Sequence, residues 1–161
     1  MKAFIIVFIC LTLHGFTLEA QVVKNYSLRD LDNQLINLYD LKGESITVLD
    51  FWTTWCRPCK KAIPELNKIF QEYKDKGVQI IGVNCDGPRT VAKVPGVSNV
   101  LQIEYPVLID INSDIPNSLN LSNFPTLVIL DQSNKIKYFH EGFIPGDEAE
   151  IVSAIENLLN K

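Results

Sequence analysis

The segment FWTTWCRPCKKAIPEL contains two cysteines, Cys56 and Cys59, with two residues between them. A cysteine pair at this spacing can be part of a structural zinc site, a disulfide that only stabilises the fold, or a dithiol that exchanges electrons with other thiols. These three kinds of site need different residues elsewhere in the chain. The rest of the sequence therefore discriminates between them.

The first two kinds of site fit the sequence poorly. A structural zinc ion needs four ligands. Beyond its first twenty residues the chain offers three cysteines and one histidine, His140, which lies about eighty residues from the pair. A disulfide that closes so short a loop constrains the unfolded chain little. A reactive dithiol is therefore the preferred interpretation, and neither a metal nor another cofactor is expected.

The position of the pair supplies a mechanism for its reactivity. Cys56 lies between an apolar, β-rich run and a helical pattern, so it is predicted to lie at a helix N-terminus, where the thiolate is stabilised. Arg57 adds a positive charge, and Pro58 suits the first helical turn, where its missing N–H costs nothing. Cys59 follows one turn later. Cys56 is the predicted nucleophile and Cys59 the thiol that resolves a mixed disulfide.

Asp50 lies six residues before Cys56, inside the otherwise apolar run SITVLDFW. A buried carboxylate is costly unless it has a partner or a chemical role. We therefore expect burial to raise the pKa of Asp50, and its carboxyl group to exchange a proton with Cys59 directly or through water. The alternative is a shifted strand register that turns Asp50 toward solvent.

The elements that must position these residues alternate between strands and helices. SITVLDFW and VQIIGVN are predicted as strands buried on both faces. Between them, apolar residues three and four apart predict a helix from Cys56 to about Lys76, closed by Gly77. YPVLID, PTLVIL and KIKYFHEG are further predicted strands, the last two forming a hairpin. Residues 147–159 have the spacing of a final amphipathic helix.

Three other segments complete the predicted domain. NYSLRDLDNQLINLYDLKG is predicted as a hairpin with its turn at Asp32-Asn33, followed by a helical turn over residues 38–41. The stretch before YPVLID is expected to hold a helix interrupted near Pro95-Gly96, and DIPNSLNL a short helix or loop. This order of elements predicts an α/β fold with parallel first strands and helices on both faces.

The length and charge of the chain limit its partners. The 161 residues suffice for one domain with a sizeable core. The net charge of −4 argues against a nucleic-acid partner, which usually requires a basic face.

Residues 1–20 are predicted to be a signal peptide, with Lys2 before an apolar run and cleavage after Ala20. An uncleaved membrane anchor and lipidation at Cys10 are the alternatives, but the apolar run is shorter than the roughly twenty residues that span a bilayer. Residues 21–161 would then form the domain, in the periplasm or cell envelope, where disulfides persist. Cys85 is left without a partner, and we expect it to be a small buried hydrophobe rather than a third redox thiol.

LDFWTTWCRPCKKAIPEL resembles the active-site segment of the thioredoxin superfamily. Residues 24–160 as a whole resemble the exported TlpA/ResA-like thiol–disulfide oxidoreductases. The resemblance implies a thioredoxin-like fold, with a mixed central sheet, helices on both faces and an N-terminal β-hairpin extension. It also implies the nucleophilic and resolving roles of the two cysteines, and a role in proton transfer for Asp50.

The resemblance further implies a surface that binds the substrate. Trp55 matches the tryptophan that flanks and shields the active site. Pro125, in NFPTLVIL, matches the cis-proline that faces the cysteine pair in this fold. The backbone of Phe124 would then be free to pair with an extended substrate segment. Arg57 and Pro58, between the cysteines, complete this expected surface.

Ala62 departs from the pattern of some ResA-like reductases, which carry a functional glutamate three residues after the second cysteine. Glu65 is displaced by nearly one helical turn from that position. The departure weakens any transfer of a specific role in cytochrome c biogenesis. What the resemblance implies is a monomeric protein-disulfide reductase that acts on disulfide-bearing proteins and is re-reduced by an upstream membrane electron donor.

Two other functions are compatible with part of the pattern. Thioredoxin-like peroxidases place a threonine three residues before the reactive cysteine, as Thr53 is placed, but they have a proline where this chain has Leu49. Copper-delivery proteins of related fold use a cysteine pair with three intervening residues, whereas this chain has two. Both functions remain alternatives to the reductase.

Overall fold

Two parallel strands with almost entirely buried side chains form the centre of the fold. The computed structural model describes residues 21–160. Within it, β3 (Ile46–Trp52) and β4 (Val78–Asn84) pair in parallel, and Asp50 lies opposite Gly82. Every residue of β3 is buried, as expected for a strand covered on both faces.

The remaining strands extend this pair into one seven-stranded mixed sheet, in the order β2-β1-β5-β4-β3-β6-β7. β5 is parallel to β4, whereas β6 is antiparallel to β3 and β7 is antiparallel to β6. The N-terminal hairpin of β1 and β2 joins the sheet through β5. The strands beyond the central pair are β1 (Ser27–Asp30), β2 (Leu35–Asn37), β5 (Val107–Ile109), β6 (Thr126–Asp131) and β7 (Ile136–Glu141).

Helices cover both faces of the sheet, because successive side chains of each strand point to opposite sides. On one side Val48 packs with residues of α1 and α4 in a single apolar cluster. On the other side Leu49 and Phe51 pack with residues of α3 and the N-terminal hairpin. The helices are α1 (Arg57–Tyr73), α2 (Val94–Val100), α3 (Asp114–Leu119) and α4 (Asp147–Leu159).

The structure confirms the predicted mixed sheet, the N-terminal hairpin and the helix that follows the cysteine pair. Asn33 has the positive φ of 62° that the predicted hairpin turn needs. The helical turn expected after the hairpin is a 3₁₀ turn over Leu38–Leu41. Helix α1 continues through Pro64 and is extended by a 3₁₀ turn to Lys76, after which Gly77 adopts the left-handed conformation.

The helical segment expected around Pro95-Gly96 changes type there, because a 3₁₀ turn over Val91–Lys93 is followed directly by helix α2. Helix α2 begins at Val94, so Pro95 occupies its first turn rather than its interior. The N–H groups of a first turn have no partner within the helix, so proline costs nothing there. The predicted interruption thus corresponds to the junction between the 3₁₀ turn and the α-helix, and DIPNSLNL contains the short helix α3.

Candidate active site

Cys56 is the N-cap residue of helix α1. Its backbone is extended, with φ −76° and ψ 107°, and its sulfur accepts a hydrogen bond of 3.1 Å from the backbone N–H of Cys59. Pro58 lies in the first turn of the helix. The predicted position at a helix N-terminus is therefore confirmed, and backbone N–H groups and the helix dipole are available there to a thiolate.

The two cysteines form a disulfide with a Cα–Cα distance of 5.3 Å, and they differ in accessibility. Cys56 is 4% exposed, whereas Cys59 is fully buried. Both pack in an apolar cluster with Trp52 and Ile63. Of the two, only Cys56 retains exposed surface, which matches the chemical order of a nucleophilic and a resolving thiol.

The loop before Cys56 is held by an acidic residue that sequence reasoning missed. Asp86 is fully buried just beyond β4. It accepts hydrogen bonds from the backbone N–H of Thr54 (2.6 Å), from the Thr54 hydroxyl (2.7 Å) and from the Asn84 amide (2.9 Å). Burial opposes ionisation of Asp86, but hydrogen bonds, including these, outweigh it and lower its pKa. The polar residues Asn84 and Asp86 lie where the parallel strand β4 ends, and polar residues at such a position are a sequence signal that could have pointed to Asp86.

Apolar and charged side chains surround the cysteine pair at the surface. Trp55 is 66% exposed, and its ring meets that of Phe124 edge to face, with centroids 6.3 Å apart. Phe124 also packs against the cluster that contains both cysteines. Arg57 and Pro58 are exposed. The structure thus brings four of the five residues expected to bind a substrate to one surface.

Pro125, the fifth residue, is buried, and the Phe124-Pro125 peptide bond is cis, as the resemblance implied. The carbonyl of Pro125 accepts a hydrogen bond from the Gly142 N–H. Within residues 21–160, the backbone N–H and C=O of Phe124 make no hydrogen bond. These two groups are therefore available to a partner segment beside the cysteine pair.

Asp50 is buried in the middle of β3, with 1% of its surface exposed. The alternative of a solvent-facing register is therefore wrong. Its side chain lies on the same face of the strand as that of Trp52, which packs against Cys59. Desolvation raises the pKa of Asp50 from 3.8 to about 7, although a hydrogen bond of 3.0 Å from the Tyr105 hydroxyl to Oδ2 acts in the opposite direction.

Two buried polar atoms of this strand have no hydrogen-bond partner among residues 21–160: Oδ1 of Asp50 and the indole nitrogen Nε1 of Trp52. The hydroxyl of Thr53, in the following loop, is a third such atom. Buried polar atoms usually find a protein or water partner. A carboxyl oxygen without a partner on the side of the sheet that carries Cys59 is suited to exchanging a proton.

Cys85 has the passive environment that its sequence position suggested. The thiol is 7% exposed, packs in the cluster on the opposite face of the sheet, and lies 3.5 Å from the Val83 carbonyl. Burial raises its pKa, as do the carboxyl groups of Asp110, Asp50 and Asp86. Cys85 therefore stays protonated at neutral pH, whereas the attacking species in thiol exchange is a thiolate.

Other residues considered from the sequence lie apart from this chemistry. Ala62 is a fully buried residue of α1 on the side of the helix that faces the core, and Glu65 pairs with Lys68 at 2.8 Å. His140 pairs with Asp147 at 3.1 Å. In the part of the chain that the structure describes, no three acidic, histidine or cysteine side chains cluster as a metal site would require. Among residues 21–160, no helix combines the length and the apolar character that a membrane span requires.

Known proteins are similar to this chain in sequence and in structure. The AhpC/TSA family matches residues 20–139. The thiol-disulfide oxidoreductase ResA of Bacillus thuringiensis (strain Al Hakam) is 36% identical over 112 residues, which cover 70% of this chain and 63% of ResA. The matched region is thus less than two thirds of ResA. The thioredoxin-like protein YneN of Bacillus subtilis (strain 168) is 32% identical over 136 residues, which cover 82% of this chain and 76% of YneN.

Among solved structures, one assigned as the thiol:disulfide interchange protein DsbE of Chlorobium tepidum superposes with a TM-score of 0.79. Its sequence is 27% identical, and the superposition covers 87% of this chain and 96% of that chain. The fold of the chain is thioredoxin-like, as its sequence motif implied.

The raised pKa of Asp50 predicts that Asp50→Asn stabilises the oxidised protein at alkaline pH. Below about pH 4 both folded and unfolded chains are protonated at Asp50, so the substitution has little effect there. Between about pH 4 and 7 only the unfolded wild-type chain releases the proton, which lowers the free energy of unfolding. A pKa difference of about three corresponds to roughly 4 kcal/mol. Urea denaturation at several pH values measures this difference.

Asp86→Asn is the matched control, because it should have the opposite sign. In this variant the side-chain NH₂ group of the new asparagine would face the N–H and O–H donors that now bind the Asp86 carboxylate. At least one buried donor would then lack an acceptor, which should lower the free energy of unfolding by about 1–3 kcal/mol near neutral pH. This loss should shrink as the pH falls through the lowered pKa of Asp86. An Asp50→Asn variant less stable than wild type at pH 8 would contradict the desolvation of Asp50.

Proposed function

The chain belongs to the AhpC/TSA family, and from this premise we propose that it is a thiol–disulfide oxidoreductase that reduces disulfides in other proteins. The observation that carries the proposal is the cysteine pair itself. Cys56 is the N-cap residue of a helix and retains a small exposed surface, and Cys59 is its fully buried disulfide partner. The names of the ResA and DsbE proteins to which the chain is similar support the same reaction class.

In the proposed reaction the reduced enzyme transfers two electrons. The Cys56 thiolate attacks one sulfur of the substrate disulfide, forms a mixed disulfide, and expels the other substrate sulfur, which takes up a proton. Cys59 then loses its proton and attacks the sulfur of Cys56. The mixed disulfide breaks, the Cys56–Cys59 disulfide forms, and the second substrate sulfur leaves as a thiol.

Asp50 is proposed as the group that accepts the proton of Cys59. A general base works best when its pKa lies near the working pH, and burial raises the pKa of Asp50 to about 7. The carboxyl oxygen Oδ1 is free of protein partners among residues 21–160. Because Asp50 and Trp52 lie on one face of β3 and Trp52 packs with Cys59, transfer directly or through one water is supported.

The substrate is proposed to bind over the surface formed by Trp55, Arg57, Pro58, Phe124 and Pro125. An extended segment can pair with the unbonded backbone groups of Phe124, in the manner of an added strand. The exposed ring of Trp55 would pack against the same segment. Backbone pairing recognises shape rather than sequence, so the proposal stops at disulfide-bearing proteins and assigns no role in cytochrome c biogenesis.

We propose that the reaction runs as a reduction and that the chain acts as a monomer. This direction is the usual role of the TlpA/ResA-like proteins that the sequence resembles, and the redox poise itself depends on the relative stability of the thiolate and disulfide states. Trapping thiols in living cells should then find the pair mainly reduced, and mainly oxidised when the membrane electron donor is removed. A pair that is oxidised in unperturbed cells would indicate an oxidase.

Export is also proposed, and it rests on the sequence of residues 1–20, which lie outside the described residues. A cleaved signal peptide would leave a mature chain that begins at Gln21 in the periplasm or cell envelope. N-terminal sequencing of the chain recovered from separate cell fractions shows both whether cleavage occurs before Gln21 and where the mature chain is located. An intact N-terminus in the membrane fraction would indicate an anchor instead, and an intact chain in the cytoplasm would contradict export.

Cys59→Ala should stall the reaction at the mixed disulfide, because no second thiol can attack Cys56. Its partners could then be identified after non-reducing electrophoresis. The variant with both Cys56→Ala and Cys59→Ala is the matched control, since both variants keep Cys85. Cys56→Ser should lower insulin-disulfide reduction to the uncatalysed rate. Full activity of Cys56→Ser, or equal capture by the trap and its control, would contradict the mechanism.

A further inference from the structure

The Asp50 carboxyl group has one hydrogen-bond partner within residues 21–160. The Tyr105 hydroxyl donates to Oδ2 at 3.0 Å, and Oδ1 has no partner. No salt bridge of the described part of the chain includes Asp50. Both side chains are buried, with 1% of Asp50 and 3% of Tyr105 exposed. The protonation of Asp50 therefore depends on this one contact more than on any cation.

A glycine in the neighbouring strand makes room for the contact. Gly82 lies between Asp50 on β3 and Val107 on β5 in the sheet register. A Cβ atom at Gly82 would lie 3.2 Å from Cε2 of Tyr105 and 3.3 Å from Nε1 of Trp52. Such distances are tighter than ordinary van der Waals contact. The ring of Tyr105 thus passes over a position without a side chain to reach the carboxyl group.

We propose that Tyr105 is a positioning residue for the thiol–disulfide reaction: it orients the Asp50 carboxyl group and keeps it able to accept a proton at neutral pH. This inference rests on the proposed function, in which Asp50 serves Cys59. A hydroxyl that donates to a carboxylate favours its charged form, whereas burial favours the neutral form. Burial also raises the pKa of Tyr105 well above its ordinary range, so the hydroxyl remains a donor in neutral solution.

The other titratable groups around Asp50 do not stabilise its charged form, so this stabilisation comes from Tyr105. The cysteine pair lies on the α1 side of the sheet, and Cys85 follows β4. On the β6 side, Leu127 separates Asp50 from His140 in the register, and His140 is paired with Asp147. None of these groups supplies a positive charge in contact with Asp50.

Tyr105→Phe removes the hydroxyl and keeps the ring. A hydrogen bond to a charged group is strong enough that its loss should raise the pKa of Asp50 by about one unit. The acid limb of the pH–rate profile for the oxidation of reduced enzyme by insulin should move to higher pH by the same amount. At acidic pH the rate should fall about tenfold, and well above both pKa values it should be unchanged.

Tyr73→Phe is the matched control. Tyr73 is a buried tyrosine of the same apolar cluster, and its hydroxyl donates to a carboxylate, that of Glu156, at 2.8 Å. Its removal should destabilise the fold to a similar degree and leave the pH–rate profile in place. A merely structural role of Tyr105 would give the two variants the same behaviour.

Direct titration separates this inference from the proposed function. Isotope-edited infrared or NMR spectroscopy of labelled aspartate, with Asp50→Asn to assign the signal, reports the pKa of Asp50 in the oxidised full chain without any turnover. Replacing Tyr105 by a fluorinated tyrosine, a stronger hydrogen-bond donor of nearly the same shape, should move the titration of Asp50 to lower pH. This replacement tests the same contact if Tyr105→Phe does not fold. Unchanged titration of Asp50 in these variants would overturn the role of Tyr105, whereas a shifted titration in an enzyme without reductase activity would overturn only the proposed function.

Discussion

The desolvation of one carboxyl group in the central strand is the constraint on which the site depends. Asp50 lies in β3, the only strand within residues 21–160 in which every residue is buried, and an ionised side chain there loses nearly all of its hydration. The fold tolerates this loss because the group can remain protonated until near neutral pH. The same property makes the group useful, since a proton that is held and released near neutrality can be exchanged with a thiol.

The active site follows from what surrounds this strand. Strand β3 leads through a short loop to the N-terminus of α1. There Cys56 lies next to the free backbone N–H groups of the helix, and Cys59 is buried in the apolar interior. Asp86, at the end of the neighbouring parallel strand, fixes the connecting loop through Thr54. Two acidic residues thus have opposite tasks. Asp86 accepts several hydrogen bonds and stays ionised, so it fixes the conformation of the loop. Asp50 accepts one hydrogen bond, and its pKa lies near neutral pH, so it can bind or release a proton there.

Much of this arrangement could be predicted from local sequence, because local patterns report local structure. The apolar run around Asp50 and the helical spacing after Cys56 identified the strand, the helix and the nucleophile. The roles of Asp86 and Tyr105 could not be predicted in the same way. Their contacts join residues more than thirty positions apart, and they depend on which strands are neighbours and on the missing side chain of Gly82. The interruption expected near Pro95 was located only approximately, because a proline can end one helical turn or begin the next, and the 3₁₀ turn in fact gives way to α2 at Val94.

The division of roles between the two thiols is the central claim, and the ionisation of the reduced dithiol tests it most directly. The rate at which each cysteine is alkylated, followed by peptide mass spectrometry as a function of pH, gives the two pKa values separately. Stabilisation by the helix N-terminus predicts that Cys56 ionises below the ordinary thiol value of about 8.5 and reacts first. The buried Cys59 should ionise at higher pH. Equal reactivity, or a Cys59 that ionises before Cys56, would contradict the assignment of nucleophile and resolving thiol.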